Sequence, residues 1–234
     1  MAERSKSIAK IAPNIIPPRE GAILDHYKDY YDSVYIILHP FSKTKLRDDK
    51  KLEKHPTSKG EYVNATQKIS WAELLTLSGL PDINRLDIAL RNLILGLNKV
   101  YSNEEDLRIL KESIKKNNLT EPVEGCFSWL LIDDMMAALT ALGHEWIYIG
   151  DEFGFERKIE FIDDIINDKI ELSSGHESWY TTMNEVLVTT HWDSHFTFLC
   201  SDRQTIEKIL ELYPFEGFYC TPETEVYWSI RSKI

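Results

Sequence analysis

Cysteine is scarce in this chain, and its spacing excludes two classes of protein. Cys126, Cys200 and Cys220 are the only three, and none sits in a C-x-x-C pair. An odd count without paired spacing rules out a zinc ribbon and a secreted disulfide framework. Glycine is also sparse, at ten residues. The sequence has no G-x-x-x-x-G-K-[ST] and no G-x-G-x-x-G, so the glycine-rich loops that cradle phosphates are missing. H-E-x-x-H and G-x-S-x-G are absent too, which removes the metalloprotease helix and the nucleophile elbow. No run approaches the roughly 18 apolar residues of a membrane span. The opening residues Met1 to Lys6 lack the apolar core of a secretory leader, so the expected location is cytoplasmic.

What is present is an aromatic-rich, acidic globular chain. It carries 6 Trp, 11 Tyr and 9 Phe in 234 residues, enough apolar side chain to build a core without covalent staples. The net charge of -11 is unevenly spread. Residues 1–100 hold 16 Lys+Arg against 12 Asp+Glu, whereas residues 101–234 hold 11 against 26. The acidic second half would repel phosphates, which argues against nucleic-acid binding there and favours a basic protein partner.

Hydrophobic periodicity predicts an α+β fold, with a helical middle segment packed on a mainly antiparallel sheet formed largely by the C-terminal half. Residues 1–20, with Pro13, Pro17 and Pro18, read as an N-terminal tail. Residues 21–234 read as one domain: a long exposed Lys-rich loop over 42–68, a helical part over 69–142 and a β-rich part over 143–234. A helix is predicted over residues 20–32, and a buried strand over Val34 to Leu38. Ser70-x-x-Glu73 and Ser102-x-x-Glu105 have capping-box spacing. A helix from Pro81 to about Asn98 carries Ile83, Leu86, Leu90, Leu93, Ile94 and Leu97 on one stripe, with Asp87 and Arg91 spaced as an i,i+4 pair that would contribute little if exposed. A further helix ends at Leu142, where Gly143 suits the left-handed position. Strands are expected near Trp146 to Ile149, Lys158 to Ile162, Gly217 to Cys220 and Glu225 to Trp228.

Ligand-type side chains concentrate at one place, His191-Trp192-Asp193-Ser194-His195, between the strand-like runs Val186 to Thr190 and Phe196 to Cys200. Placing Val186, Val188, Phe196, Phe198 and Cys200 on one core face pairs Thr190 with Phe196. That register sets His191 opposite His195, with Asp193 at the tip. A two-residue turn at Asp193-Ser194 would instead separate the histidines. Two imidazoles and a carboxylate suit a catalytic zinc or non-haem iron site, so His191, Asp193 and His195 are the candidate metal ligands. The competing reading is a polar hairpin tip. Cys200 precedes a helix start, where a thiol can be activated, but the expected register turns it into the core, away from both histidines. Asp133-Asp134, Asp151-Glu152 and Asp163-Asp164 read as caps or solvated acids.

The stretch from His191 to Asp202 resembles an uncharacterised family of Bacillus-type bacterial proteins. The resemblance implies a bacterial cytosolic origin and brings no catalytic residues with it. The function expected from the sequence is protein binding without catalysis, of an inhibitor or immunity type, with Trp179 or Trp192 as exposed anchors. The alternatives are a metal-dependent enzyme centred on the hairpin tip and an orphan structural or regulatory domain.

Overall fold

The fold is given by a computed structural model that describes residues 15–45, 58–151, 153–155, 157–170, 172 and 176–231. In chain order it begins with α1 (Ile23–Tyr27), β1 (Ser33–Leu38), β2 (Phe41–Thr44), α2 (Lys59–Ala65) and β3 (Thr66–Ile69). The helical middle follows as α3 (Trp71–Ser78), α4 (Ile83–Leu93), α5 (Glu104–Asn117), β4 (Leu119–Thr120) and α6 (Trp129–Ala141). The remainder is β5 (Trp146–Gly150), β6 (Arg157–Phe161), α7 (Ile162–Ile166), β7 (Ser178–Thr181), β8 (Leu187–Thr190), β9 (Phe196–Ser201), α8 (Arg203–Leu212), β10 (Gly217–Tyr219) and α9 (Trp228–Arg231). The expected α+β class is what forms.

One sheet organises the molecule. Its order is β10-β1-β9-β8-β7-β5-β6, and every neighbouring pair is antiparallel. Helices cover both faces. On one side Ile36, Phe196, Phe198, Cys200 and Leu187 pack with residues of α1, α3, α4 and α5. On the other, Ile37, Ile147, Trp179, Val188 and Leu199 pack with residues of α6, α7 and α8. A small second sheet, β3-β2-β4, continues from the end of β1.

Local signals place the helix ends. Ser70 and Glu73 close the expected capping box on α3, and Glu216 adds a carboxylate that accepts from the amides of Trp71 and Ala72 at 2.7 and 2.9 Å. Asn103 rather than Ser102 caps α5, its side chain accepting from the Asp106 amide. Asn118 (φ +52) and Gly143 (φ +94) take the left-handed turns that end α5 and follow α6.

Several expectations are corrected. The 42–68 loop is not a loop in its described parts, since it contains most of β2, all of α2 and most of β3; residues 46–57 lie outside the described residues. These short elements are held by distant partners, which local periodicity cannot report. Lys59 pairs with Asp133 and, at 3.1 Å, with Asp168; Lys68 pairs with Asp134. The adjacent acids Asp133 and Asp134 therefore tie α6 to this segment instead of capping a helix. The tail is ordered from Ile15, whose carbonyl accepts from Ser178 Oγ at 2.7 Å; residues 1–14 lie outside the described set. Pro17 and Pro18 fall in this stretch, which needs no amide from either. The first helix shrinks to α1. The Pro81 helix stops at Leu93, where Leu95 turns to φ +61. Only Glu225 bridges, to Ala22, where a last strand was expected, and Trp228 opens α9.

The Asp87–Arg91 pair is not on the surface. Both side chains are wholly buried, joined Nε to Oδ2 at 2.8 Å. Ser229 Oγ donates to the same carboxylate at 2.6 Å, and Arg91 donates to the carbonyls of Asp193 and Val226 at 3.0 and 3.1 Å. One guanidinium thus ties α4 to the β8–β9 hairpin and the C-terminal segment. Removing one member of a buried pair strands the other charge, so Asp87→Ala should cost about 3–5 kcal/mol in urea unfolding. Arg108→Ala on the exposed face of α5, which breaks solvent-screened pairs to Glu105 and Glu112, should leave the urea midpoint nearly unchanged. Equal losses for the two variants would contradict this assignment.

Candidate functional site

The β8–β9 hairpin adopts the register that keeps its histidines apart. Leu187 pairs with Cys200, Val188 with Leu199, Thr189 with Phe198 and Thr190 with Thr197. The expected pairing of Thr190 with Phe196 is therefore off by one residue. The physical reason is the double cover: every residue of β8 and β9 is buried, so both faces accept apolar side chains and alternation cannot select the register. Leu187 joins the Phe196–Phe198–Cys200 face, while Val186 and Val188 lie on the other.

His191 and His195 are buried, at 2% and 1% exposure, whereas Asp193 is exposed at the tip. Among the described residues no group of three His, Cys, Asp or Glu side chains is placed to hold a metal ion. A buried polar string runs beside them through a third histidine, His39, and Nδ1 of both His191 and His195 has no hydrogen-bond partner among the described residues. His39 Nε2 lies 2.7 Å from Thr197 Oγ1, which lies 2.6 Å from Thr190 Oγ1. The His39 amide donates to the His195 carbonyl at 3.0 Å. Burial lowers His39 to about 3, helped by His195 nearby. Burial also lowers His191 and His195 to about 3, and the Arg91 guanidinium adds to both shifts. All three imidazoles are neutral at physiological pH. Cys200 is wholly buried and its thiol is raised well above the usual range by burial, so it stays protonated.

The tip buttresses a different feature. The Gly125 amide donates to the Ser194 carbonyl at 2.9 Å, and His176 Nδ1 donates to the Gly125 carbonyl at 2.7 Å. This pins the segment between β4 and α6, and that segment forms one wall of a pocket of about 320 Å³. Glu121, Pro122, Val123, Cys126, Phe127 and Ser128 line this wall. Tyr62 from α2, Trp129 and Ile132 from α6, and Glu177 and Trp179 around β7 complete it. The four rings make two near-perpendicular pairs: Tyr62 with Trp129 at 5.9 Å and 78°, and Phe127 with Trp179 at 5.1 Å and 72°. Glu177 Oε2 accepts from Trp179 Nε1 at 3.4 Å. Burial raises the Cys126 thiol, and the Glu177 and Glu124 carboxylates raise it further, so it is an uncharged wall at neutral pH and a poor nucleophile.

A family model described as "Protein of unknown function (DUF2711)" matches residues 19–230. The chain belongs to the DUF2711 family. No curated protein and no solved structure matches it. The family match spans both the hairpin and the pocket, and it assigns a role to neither.

The pocket of this DUF2711 chain was not anticipated from sequence. Tyr62 falls within the 42–68 stretch that the sequence predicts to be a loop. Trp179 was taken as an exposed anchor but is only 4% exposed, packed in the core. Trp192 is half-buried under the Arg19 guanidinium, 5.6 Å from the ring centre. The available signal was two clusters that mix carboxylates with aromatics, Glu121 to Trp129 and Glu177 to Tyr180, far apart in sequence.

Two outcomes follow from this geometry. The unfolded chain has ordinary histidines, which take protons below about pH 6.5, while the folded protein refuses them until about pH 3. Stability should therefore be full above pH 6.5 and fall as pH drops toward 3. At pH 5 the loss is about 2 kcal/mol per histidine, read as urea unfolding free energy at pH 7.5 and 5.0. Equal stability at the two pH values would refute the neutral cluster. Gly125 has φ +66, and an added Cβ would lie 2.0 Å from His176 Cε1 and 2.7 Å from the Trp192 carbonyl oxygen. Gly125→Ala should cost about 2 kcal/mol and speed alkylation of Cys126, as the wall detaches. A variant as stable and as unreactive as the parent would show that the wall is held otherwise.

Proposed function

We propose that the protein is a binding domain without catalysis, of an inhibitor or immunity type, whose partner is a basic protein. The observation that carries this reading is the aromatic pocket with Glu121 and Glu177 in its lining and Glu124 alongside. Aromatic side chains in a concave site supply the anchoring area of a protein interface. Carboxylates around it supply sign complementarity and steering toward a cationic surface. The charge distribution points the same way, since residues 101–234 carry 26 Asp+Glu against 11 Lys+Arg. Those residues include the segment between β4 and α6 as well as Glu177. The bacterial origin implied by the resemblance of the His191 to Asp202 stretch would suit neutralisation of a basic effector made in the same cell.

Affinity capture with the full chain tests this reading. A basic protein should be retained at low salt, with affinity falling at least about ten-fold between roughly 50 and 300 mM salt. Retention of neutral or acidic proteins alone, or salt-independent binding, would overturn it.

A further inference from the structure

We infer that the pocket between α2, α6 and β7 is a cation cage that takes an alkylammonium group, presented as a lysine side chain of the basic partner. The inference rests on the reading of the protein as a binder of a basic partner, and it names the group that is bound. Three features support it.

The first is the wall chemistry. Tyr62, Phe127, Trp129 and Trp179 all line one cavity of about 320 Å³. The face of each ring carries negative quadrupolar potential, and a cation within about 6 Å of a ring centre is attracted to it. The second is the arrangement of the rings. Each pair forms a corner, with interplanar angles of 78° and 72°. Rings set at right angles present faces along different directions, which suits a compact, near-tetrahedral ammonium. A planar guanidinium is better served by a parallel stack. Pro40, Pro122, Val123, Ile132 and Leu172 supply the apolar lining that an alkyl stem would cover.

The third is charge. Glu121 and Glu177 reach the pocket from separate chain segments, and Glu124 lies close enough to act on the Cys126 thiol. Among the described residues no Lys or Arg lines the cavity. Cys126 is held protonated by burial and by the Glu177 and Glu124 carboxylates, so it competes neither as a second anion nor as a nucleophile. An anionic or carboxylate-bearing ligand would meet repulsion here, and a neutral apolar one would leave the carboxylates unused.

The test is calorimetric titration of the full chain with a doubly capped lysine peptide and with its norleucine analogue. Choline and its uncharged carbon isostere 3,3-dimethylbutan-1-ol form a second pair of probes. The lysine peptide should saturate one site, change tryptophan fluorescence and bind at least about ten-fold tighter than the norleucine peptide. Joint replacement Glu121→Gln and Glu177→Gln should weaken the lysine peptide about ten-fold and leave the norleucine peptide unchanged, which separates charge recognition from loss of folding. Trp129→Leu should lower affinity for both cations. Equal binding of charged and uncharged probes, or no binding of either cation, would overturn the cage. Binding of choline without the lysine peptide would also overturn the inference, by assigning the cage to a free small cation. Capture of the basic partner with unchanged affinity by Trp129→Leu would leave the partner reading standing and remove the lysine insertion.

Discussion

The seven-stranded sheet is covered on both faces, and the other arrangements in the molecule answer to that constraint. A sheet with one wet face can turn its polar side chains outward. Here β1, β8 and β9 have no wet face over nearly their whole length, so their polar residues must be satisfied inside. Thr190 and Thr197 form a chain of short contacts with His39, which follows β1. Arg91 reaches across from α4 to cap the carbonyl of Asp193 at the hairpin end, and Asp87 and Ser229 complete its environment. A charge this deep is costly unless it is paired, which makes the Arg91 network a lock on how α4, the hairpin and the C-terminus meet.

The same double cover decides how much the sequence could reveal. Elements that depend on local signals were legible: the Ser70–Glu73 box, the Gly143 turn, the strand from Val34 and the alternation of helix with sheet in the second half. The hairpin was legible as a hairpin but not in its register. The expected register rests on a single core face, whereas Leu187, Leu199 and Thr189 are buried as fully as Phe196 and Phe198. The 42–68 stretch failed for a related reason. Its Lys59 and Lys68 look solvated in sequence, yet they bond to Asp133, Asp134 and Asp168, a hundred residues away in the farthest case. The pocket was invisible because its four rings come from three segments far apart in sequence, around Tyr62, Phe127 to Trp129, and Trp179.

The hairpin and the pocket are linked, and this changes what the histidine-rich tip does. The sequence marks His191 to His195 as a concentration of ligand-type groups. In the fold, that tip is the back support of the pocket wall, through Ser194 to Gly125 and through His176 to the same residue. Gly125 is the narrow point of this support, because both its left-handed backbone and its close neighbours exclude a side chain.

Electrostatics then follow from burial. The Arg91 guanidinium acts on both His191 and His195 and helps to keep them neutral. Its own charge is balanced by Asp87. The His39 ring meets Phe127 edge-on at 5.8 Å, on the inner side of the aromatic wall. A protonated His39 would place positive charge directly behind that wall and oppose a cation in front of it. Desolvation prevents this at neutral pH, so the field in the pocket is left to Glu121, Glu124 and Glu177. The neutral histidine cluster and the acidic pocket are thus two consequences of one cause: the core takes up uncharged imidazoles, while the carboxylates stay where water and a partner can reach them.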